Sequence, residues 1–143
     1  MPANTSQIFS KVGSIAWGSL SAANTALDGT GTVVTLFTAD ATNGSRVERL
    51  RFQALGTNVA TVARIFINNG STPTTAANNT LIAEVALPAT TASNAALIGA
   101  VNLPDDVELL ALPVVLPPGY KILAVLGTAV AAGWRVTAFG GNY

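Results

Sequence analysis

The sequence predicts an all-β protein, an eight-stranded jelly-roll β-sandwich with a short extended N-terminal arm. Three observations carry this reading. Runs of β-branched and aromatic residues of strand length recur along the chain, as in TVVTLFTA and VATVARIFINN. Turn formers separate them, as in DATNGS, GTN and PPG. No segment has the length, caps and 3.6-residue period of an amphipathic helix.

Residues 1–14 are polar and read as the arm, and residues 15–143 as one sandwich domain. SIAWGSL (Ser14–Leu20) is the first strand, followed by a loop rich in turn formers, SAANTALDGTG. TVVTLFTA (Thr32–Ala39), RVERLRFQAL (Arg46–Leu55) and VATVARIFINN (Val59–Asn69) follow, with GTN placed to turn the second of these into the third as a hairpin. NNGS opens a polar loop, because Asn and Gly both tolerate positive φ. TLIAEVAL (Thr80–Leu87) comes next. TASNAALIGAV reads equally as a short helix or a strand. VELLALPVVL, YKILAVLG (Tyr120–Gly127) and WRVTAFGG (Trp134–Gly141) complete the set. The strand count and short polar turns fit a double-sheet jelly roll, with a closed barrel as the competing architecture.

Composition bounds the function. The chain has 143 residues, enough for one domain with a core, and 50% of them are apolar. Only 10% are charged, against the usual quarter, and Lys+Arg and Asp+Glu both count 7. Thr, Ser, Asn, Ala and Gly must cover the surface, or other chains must. Charge steering toward nucleic acid is not expected from a neutral chain. The apolar C-terminal region is not a membrane span. Pro113, Pro117, Pro118, Gly119 and Lys121 divide it, and a spanning helix needs about 20 unbroken apolar residues. MPANTSQIFSKVGSIAW lacks the apolar stretch of a secretory signal, so synthesis in a cytoplasm without export by that route is expected.

The chain contains no Cys and no His. Disulfides, Ser-His-Asp and Cys-His catalysis, and most zinc sites are thereby excluded. No cofactor is expected. The acidic cluster PDDVE (Pro104–Glu108) lacks the spacing of a calcium loop and reads as a solvated turn. DGTGT (Asp28–Thr32) lacks the phosphate-loop pattern and leads into a strand, so no helix N-terminus awaits an anion. The Asn-x-Ser/Thr triplets at Asn4, Asn43, Asn69 and Asn78 are what chance yields in a chain of this composition.

The basic residues are more informative. A period of two places Arg49, Arg51 and Gln53 on one face, and Leu50, Phe52 and Ala54 on the other. In the next run Arg64 and Phe66 oppose Ala63, Ile65 and Ile67. Pairing of the two runs across GTN would gather Arg49, Arg51 and Arg64 into one basic patch. That patch is either a contact surface for an acidic partner or a solvated face neutralised by Glu48 and Glu84. Nucleic acid is a poor partner for it, since few aromatics are present for stacking. Trp17 and Trp134 belong either to the core or to an interface.

Three stretches carry a resemblance: NGSRVERLRFQALGTNVATVARIFINNGS, NNTLIAEVALPATTAS and LALPVVLPPGYKILAVLGTAVAAGWRVTAFGGNY. Together they resemble a family of small virion proteins of tailed bacteriophages, the capsid decoration or cement proteins. The resemblance covers residues 30–143. It is carried chiefly by L-P-x-G-x-x-I (Leu116–Ile122) and the GTAVAAGWRVTAFGG segment after it. It implies a jelly-roll fold, a homotrimer and no catalytic residues. It further implies binding to the major capsid protein on the outer capsid surface, between capsomers. Neither membrane nor nucleic acid is an expected partner. A tail-tip or fibre-associated jelly roll that binds host-surface glycans is the alternative.

Overall fold

A computed structural model describes residues 9–103 and 112–143. Residues 1–8 of the arm and residues 104–111, which hold all of PDDVE and VELLA, lie outside the described residues. The strands are β1 (Val12–Leu20), β2 (Val34–Thr38), β3 (Ser45–Ala54), β4 (Thr61–Asn68), β5 (Asn79–Leu87), β6 (Ala100–Leu103), β7 (Val114–Leu116), β8 (Lys121–Leu126) and β9 (Trp134–Asn142). One 3-10 turn, Ala76–Asn78, interrupts the polar loop between β4 and β5. TASNAALIGAV is mostly irregular and enters β6 only at its end. No helix among the described residues is long and apolar enough to cross a membrane.

The strands form two antiparallel sheets packed as a sandwich. One has the order β1-β9-β3-β6, with β7 also on β3, and the other β2-β8-β4-β5. The topology is easiest to derive from its tip. β4 and β5 pair as neighbours, and β3 pairs with β6, β2 with β8 and β1 with β9. These pairs are nested, like one long two-stranded ribbon. The ribbon is then rolled up, so that β9 meets β3 and β8 meets β4. That is the double-sheet jelly roll. Relative to the expected eight strands the addition is β6, which starts at the end of TASNAALIGAV, while β7 is the described end of the VELLALPVVL strand. β1 begins at Val12, two residues before the expected first strand, and Val12 pairs with Asn142.

The expected hairpin across GTN does not form. β3 and β4 lie in different sheets, and residues 55–60 cross from one sheet to the other. Local turn chemistry permitted a hairpin, but β9 and β6 occupy both edges of β3. Pairing from distant strands therefore overrides the local signal.

Alternation puts one face of each strand into the core, including Leu50, Phe52 and Ala54 of β3 and Val136 and Ala138 of β9. Bulges adjust the phase where alternation fails. One between Val47 and Arg49 turns both Glu48 and Arg49 outward while Val47 and Leu50 stay buried. Another, between Thr35 and Phe37, leaves Leu36 and Phe37 both buried. Trp134 is fully buried. Its Nε1–H has no acceptor among the described residues, a cost of about 1–3 kcal/mol. Burying an indole of about 200 Å² contributes about 5 kcal/mol, so burial wins.

β8 is buried on both faces. Ile122, Ala124 and Leu126 join the main core, while Leu123 and Val125 form a second cluster with Phe66. The loop after β1 covers that cluster from outside. The Asn24 N–H donates to the Leu126 carbonyl at 2.7 Å, and Asn24 Nδ2 donates to the carbonyls of Thr30 (2.7 Å) and Thr32 (2.8 Å). Val33 packs against the cluster, and Gly29 lies so near Phe66 that a Cβ there would stand 3.0 Å from its ring. Asp28 accepts hydrogen bonds from the Thr30 hydroxyl and N–H, which hold its carboxyl below its ordinary pKa.

Asn58 ties the loops at one end of the sandwich. Its Oδ1 accepts from Ala132 N (3.0 Å) and Gly133 N (2.8 Å), and its Nδ2 donates to the Gly133 carbonyl at 3.0 Å. Its backbone exchanges hydrogen bonds with Thr90. At the other end, β9 closes on β3 through Gly140, where a Cβ would overlap the Arg46 carbonyl oxygen.

Two stability outcomes follow from these contacts. Replacing Asn58 with Ala strands several buried backbone groups and should lower unfolding free energy by about 2–4 kcal/mol. A urea midpoint within error of wild type would contradict the role given to Asn58. Gly140→Ala should cost about 1–3 kcal/mol through overpacking against β3. A neutral result in the same titration would mean that the strands can separate there without penalty.

Candidate interaction face

The two sheets treat their outer faces differently. The outer face of β2-β8-β4-β5 carries Phe66, Leu123 and Val125, all buried beneath the chain's own loop. On the outer face of β1-β9-β3-β6, no described segment covers Ile15 and Trp17, which are 59% and 61% exposed.

Register defines the rows of this bare face. Ile15 of β1 lies beside Phe139 of β9, which lies beside Arg49 of β3. In the next row, Trp17, Thr137, Arg51 and Asn102 follow one another across four strands. In the third, Ser19, Arg135, Gln53 and Ala100 do so. Adjacent strands lie about 4.8 Å apart, so Trp17 and Arg51 sit about 10 Å apart on one surface. Leu97, Ala100, Arg51 and Gln53 border a shallow recess of about 130 Å³ at its far edge.

Local contacts hold the cationic groups outward. The Arg49 guanidinium stacks 4.4 Å from the Phe139 ring centroid. Arg51 donates to Gln53 Oε1 at 3.3 Å, and Gln53 is itself held by the Gly99 carbonyl at 2.9 Å. Arg135 donates to the Ser19 hydroxyl at 2.8 Å. Among the described residues, no carboxylate forms an ion pair with Arg49, Arg51 or Arg135. Glu48, at the bulge, is engaged by Arg46, whose guanidinium it holds above its ordinary pKa.

The expected basic patch is thus divided. Arg49 and Arg51 share the bare face. Arg64 is on the opposite sheet and pairs with Glu84 at 2.7 Å, with 19% of its side chain exposed. The patch required a β3–β4 hairpin, and the crossover between sheets separates its halves. Arg64 instead borders an open groove of about 550 Å³ with Leu27, Thr61 and Thr128. The two tryptophans also part company, since Trp134 is core and Trp17 is surface. Arg135, Phe139 and Ile15 complete the face but were not singled out from sequence. Their alternation with buried Trp134, Val136 and Ala138, and with Ala16, was the available signal.

Among the described residues, no group of three His, Cys, Asp or Glu side chains is placed to hold a metal ion. The face offers aromatic and aliphatic contact, plus guanidinium groups suited to carboxylates.

The differing environments of the tryptophans can be measured. In a Trp134→Phe variant, the remaining Trp17 should emit at long wavelength and be quenched readily by acrylamide. In Trp17→Phe, Trp134 should emit to the blue and resist quenching. Equal quenching of the two would contradict this placement.

No protein-family model and no characterised relative matches the sequence. Among solved structures, a chain from "Structure of infectious bursal disease virus Gx strain" is similar over all of this chain and 38% of that one. The identity is 15% and the TM-score 0.32.

Proposed function

We propose that the chain is a non-enzymatic structural protein of a tailed-bacteriophage virion. In this reading it is a decoration or cement protein that binds the outer capsid between capsomers and stabilises the head. The observation that carries the reading is the bare face: exposed Ile15 and Trp17 beside Arg49, Arg51 and Arg135, on a jelly roll whose other sheet covers its own apolar cluster. The resemblance of residues 30–143 to decoration proteins supports the same reading. A cement protein needs no reactive group. It needs a stiff scaffold and surfaces that dock. Repeated interfaces of about 1,600 Å² would reinforce a shell against internal pressure. A homotrimer would present three such faces around one axis.

A second reading, a tail-tip module that binds host glycans, draws on Trp17. This exposed aromatic stands beside Thr137 and near Ser19. Aromatic stacking with neighbouring hydroxyls is one way to hold a sugar ring.

Quantitative mass spectrometry of purified virions should find the protein at a copy number comparable with the major capsid protein. Heads lacking it should lose their contents at a lower temperature and regain stability on its addition. A handful of copies per particle, together with hits on a glycan array, would favour the tail-tip reading. Absence from virions would overturn both.

A further inference from the structure

We infer that the outer face of β1-β9-β3-β6 is a heterologous docking surface for an acidic protein partner, one that presents carboxylates around an apolar contact. This deepens the capsid-binding reading and rests on it only for the partner's name. Three observations on this face lead there. Trp17 and Ile15 supply an exposed apolar centre on a rigid strand, and aromatic residues with arginine are the composition of binding hot spots. Arg49, Arg51 and Arg135 flank that centre, each oriented by a neighbouring side chain and none paired with a described carboxylate. The ion pairs among the described residues, Arg46–Glu48 further along the outer side of β3 and Arg64–Glu84 on the other sheet, do not include these three arginines.

Charge then decides what kind of partner fits. In a two-fold pairing of this face with itself, the same patch meets its own copy. Arg49, Arg51 and Arg135 would then meet like charge, and the described carboxylate nearest them on this side of β3, Glu48, is already engaged by Arg46, which disfavours that pairing. The face therefore meets a different surface, whatever contacts join copies of this chain elsewhere. Nucleic acid is disfavoured on separate grounds. Three guanidinium groups neutralise few phosphates, and the whole chain is neutral. An exposed isoleucine beside the tryptophan matches an apolar protein side chain better than a sugar-phosphate backbone.

The test uses the full chain and two variants, Arg49→Glu/Arg51→Glu and Trp17→Ala. Both alter exposed positions, and circular dichroism should show both folded. The probes are a twelve-residue peptide of alternating Leu and Glu, its Leu-Lys counterpart, and a single-stranded oligothymidylate. Binding is followed by the fluorescence of the exposed Trp17, and by anisotropy of the labelled probe for Trp17→Ala. The Leu-Glu peptide should bind, weaken at high salt, and lose at least about tenfold in affinity in both variants. Sedimentation should show the same oligomeric state for wild type and Arg49→Glu/Arg51→Glu. The inference is overturned by preference for the Leu-Lys peptide or for DNA. It is equally overturned by no Leu-Glu binding up to about 1 mM, the weak end of measurable affinity, or by loss of self-association in the charge-reversal variant. A parallel assay on heads lacking the protein separates this inference from the capsid reading. If wild type and both variants bind heads equally, the docking face is wrong and the capsid reading stands. If wild type ignores heads yet discriminates among the peptides, the capsid reading is wrong and the face stands.

Discussion

The fold depends on one strand holding two distant partners at once. Trp134–Asn142 hydrogen-bonds to Val12–Leu20 on one edge and to Ser45–Ala54 on the other. Without the second contact, the nested pairs would remain an open ribbon with a single apolar face and no sheet to bury it against. The same strand supplies the buried Trp134, Val136 and Ala138 below and Arg135, Thr137 and Phe139 above. Core and surface face are thus two sides of one nine-residue segment, and the period of two keeps them apart. Gly140 and Gly141 close its end, because side chains there would meet the Arg46 backbone and Ser10.

Polar groups secure the places where strands cannot. A jelly roll sends its chain from one sheet to the other several times, and each crossing leaves backbone groups without a ladder partner. Asn58 satisfies three such groups at the meeting of the 55–60, 88–90 and 128–133 segments. Asn24 does the same for the loop over the second sheet. Ser45 accepts from the Asp40 N–H and donates to Asn142 Oδ1, tying the start of β3 to the end of β9. These uncharged side chains are neutral substitutes for ion pairs in a chain with only 10% charged residues. Burying them with partners avoids the desolvation that buried charges incur.

The asymmetry between the outer faces is the link from fold to function. Both sheets place large apolar side chains outward. One sheet conceals them beneath residues 21–33, clamped by Asn24, so Phe66, Leu123 and Val125 are unavailable to a partner. On the other sheet Ile15 and Trp17 stay in solvent beside cations fixed by local contacts. Among the described residues, one apolar cluster is covered by the chain's own loop and the other is exposed.

Most strand segments are legible in the linear chain, because side-chain alternation and turn chemistry are local. Leu50, Phe52 and Ala54 point inward and Arg49, Arg51 and Gln53 outward, as their spacing alone requires. The turn at Pro117–Tyr120 is likewise legible, with Pro118 setting φ and Gly119 taking φ +76°. The lack of His and Cys removes whole classes of chemistry on composition alone. Which strands become neighbours is a different kind of question, since pairing joins residues more than a hundred positions apart. Folding sends Arg64 to the far sheet, brings Arg135 and Phe139 beside Arg49 and Arg51, and separates Trp17 from Trp134. A strand's own pattern says which residues share a face. Which faces are then covered depends on long-range contacts, and so the bare face exists only once the ribbon is rolled.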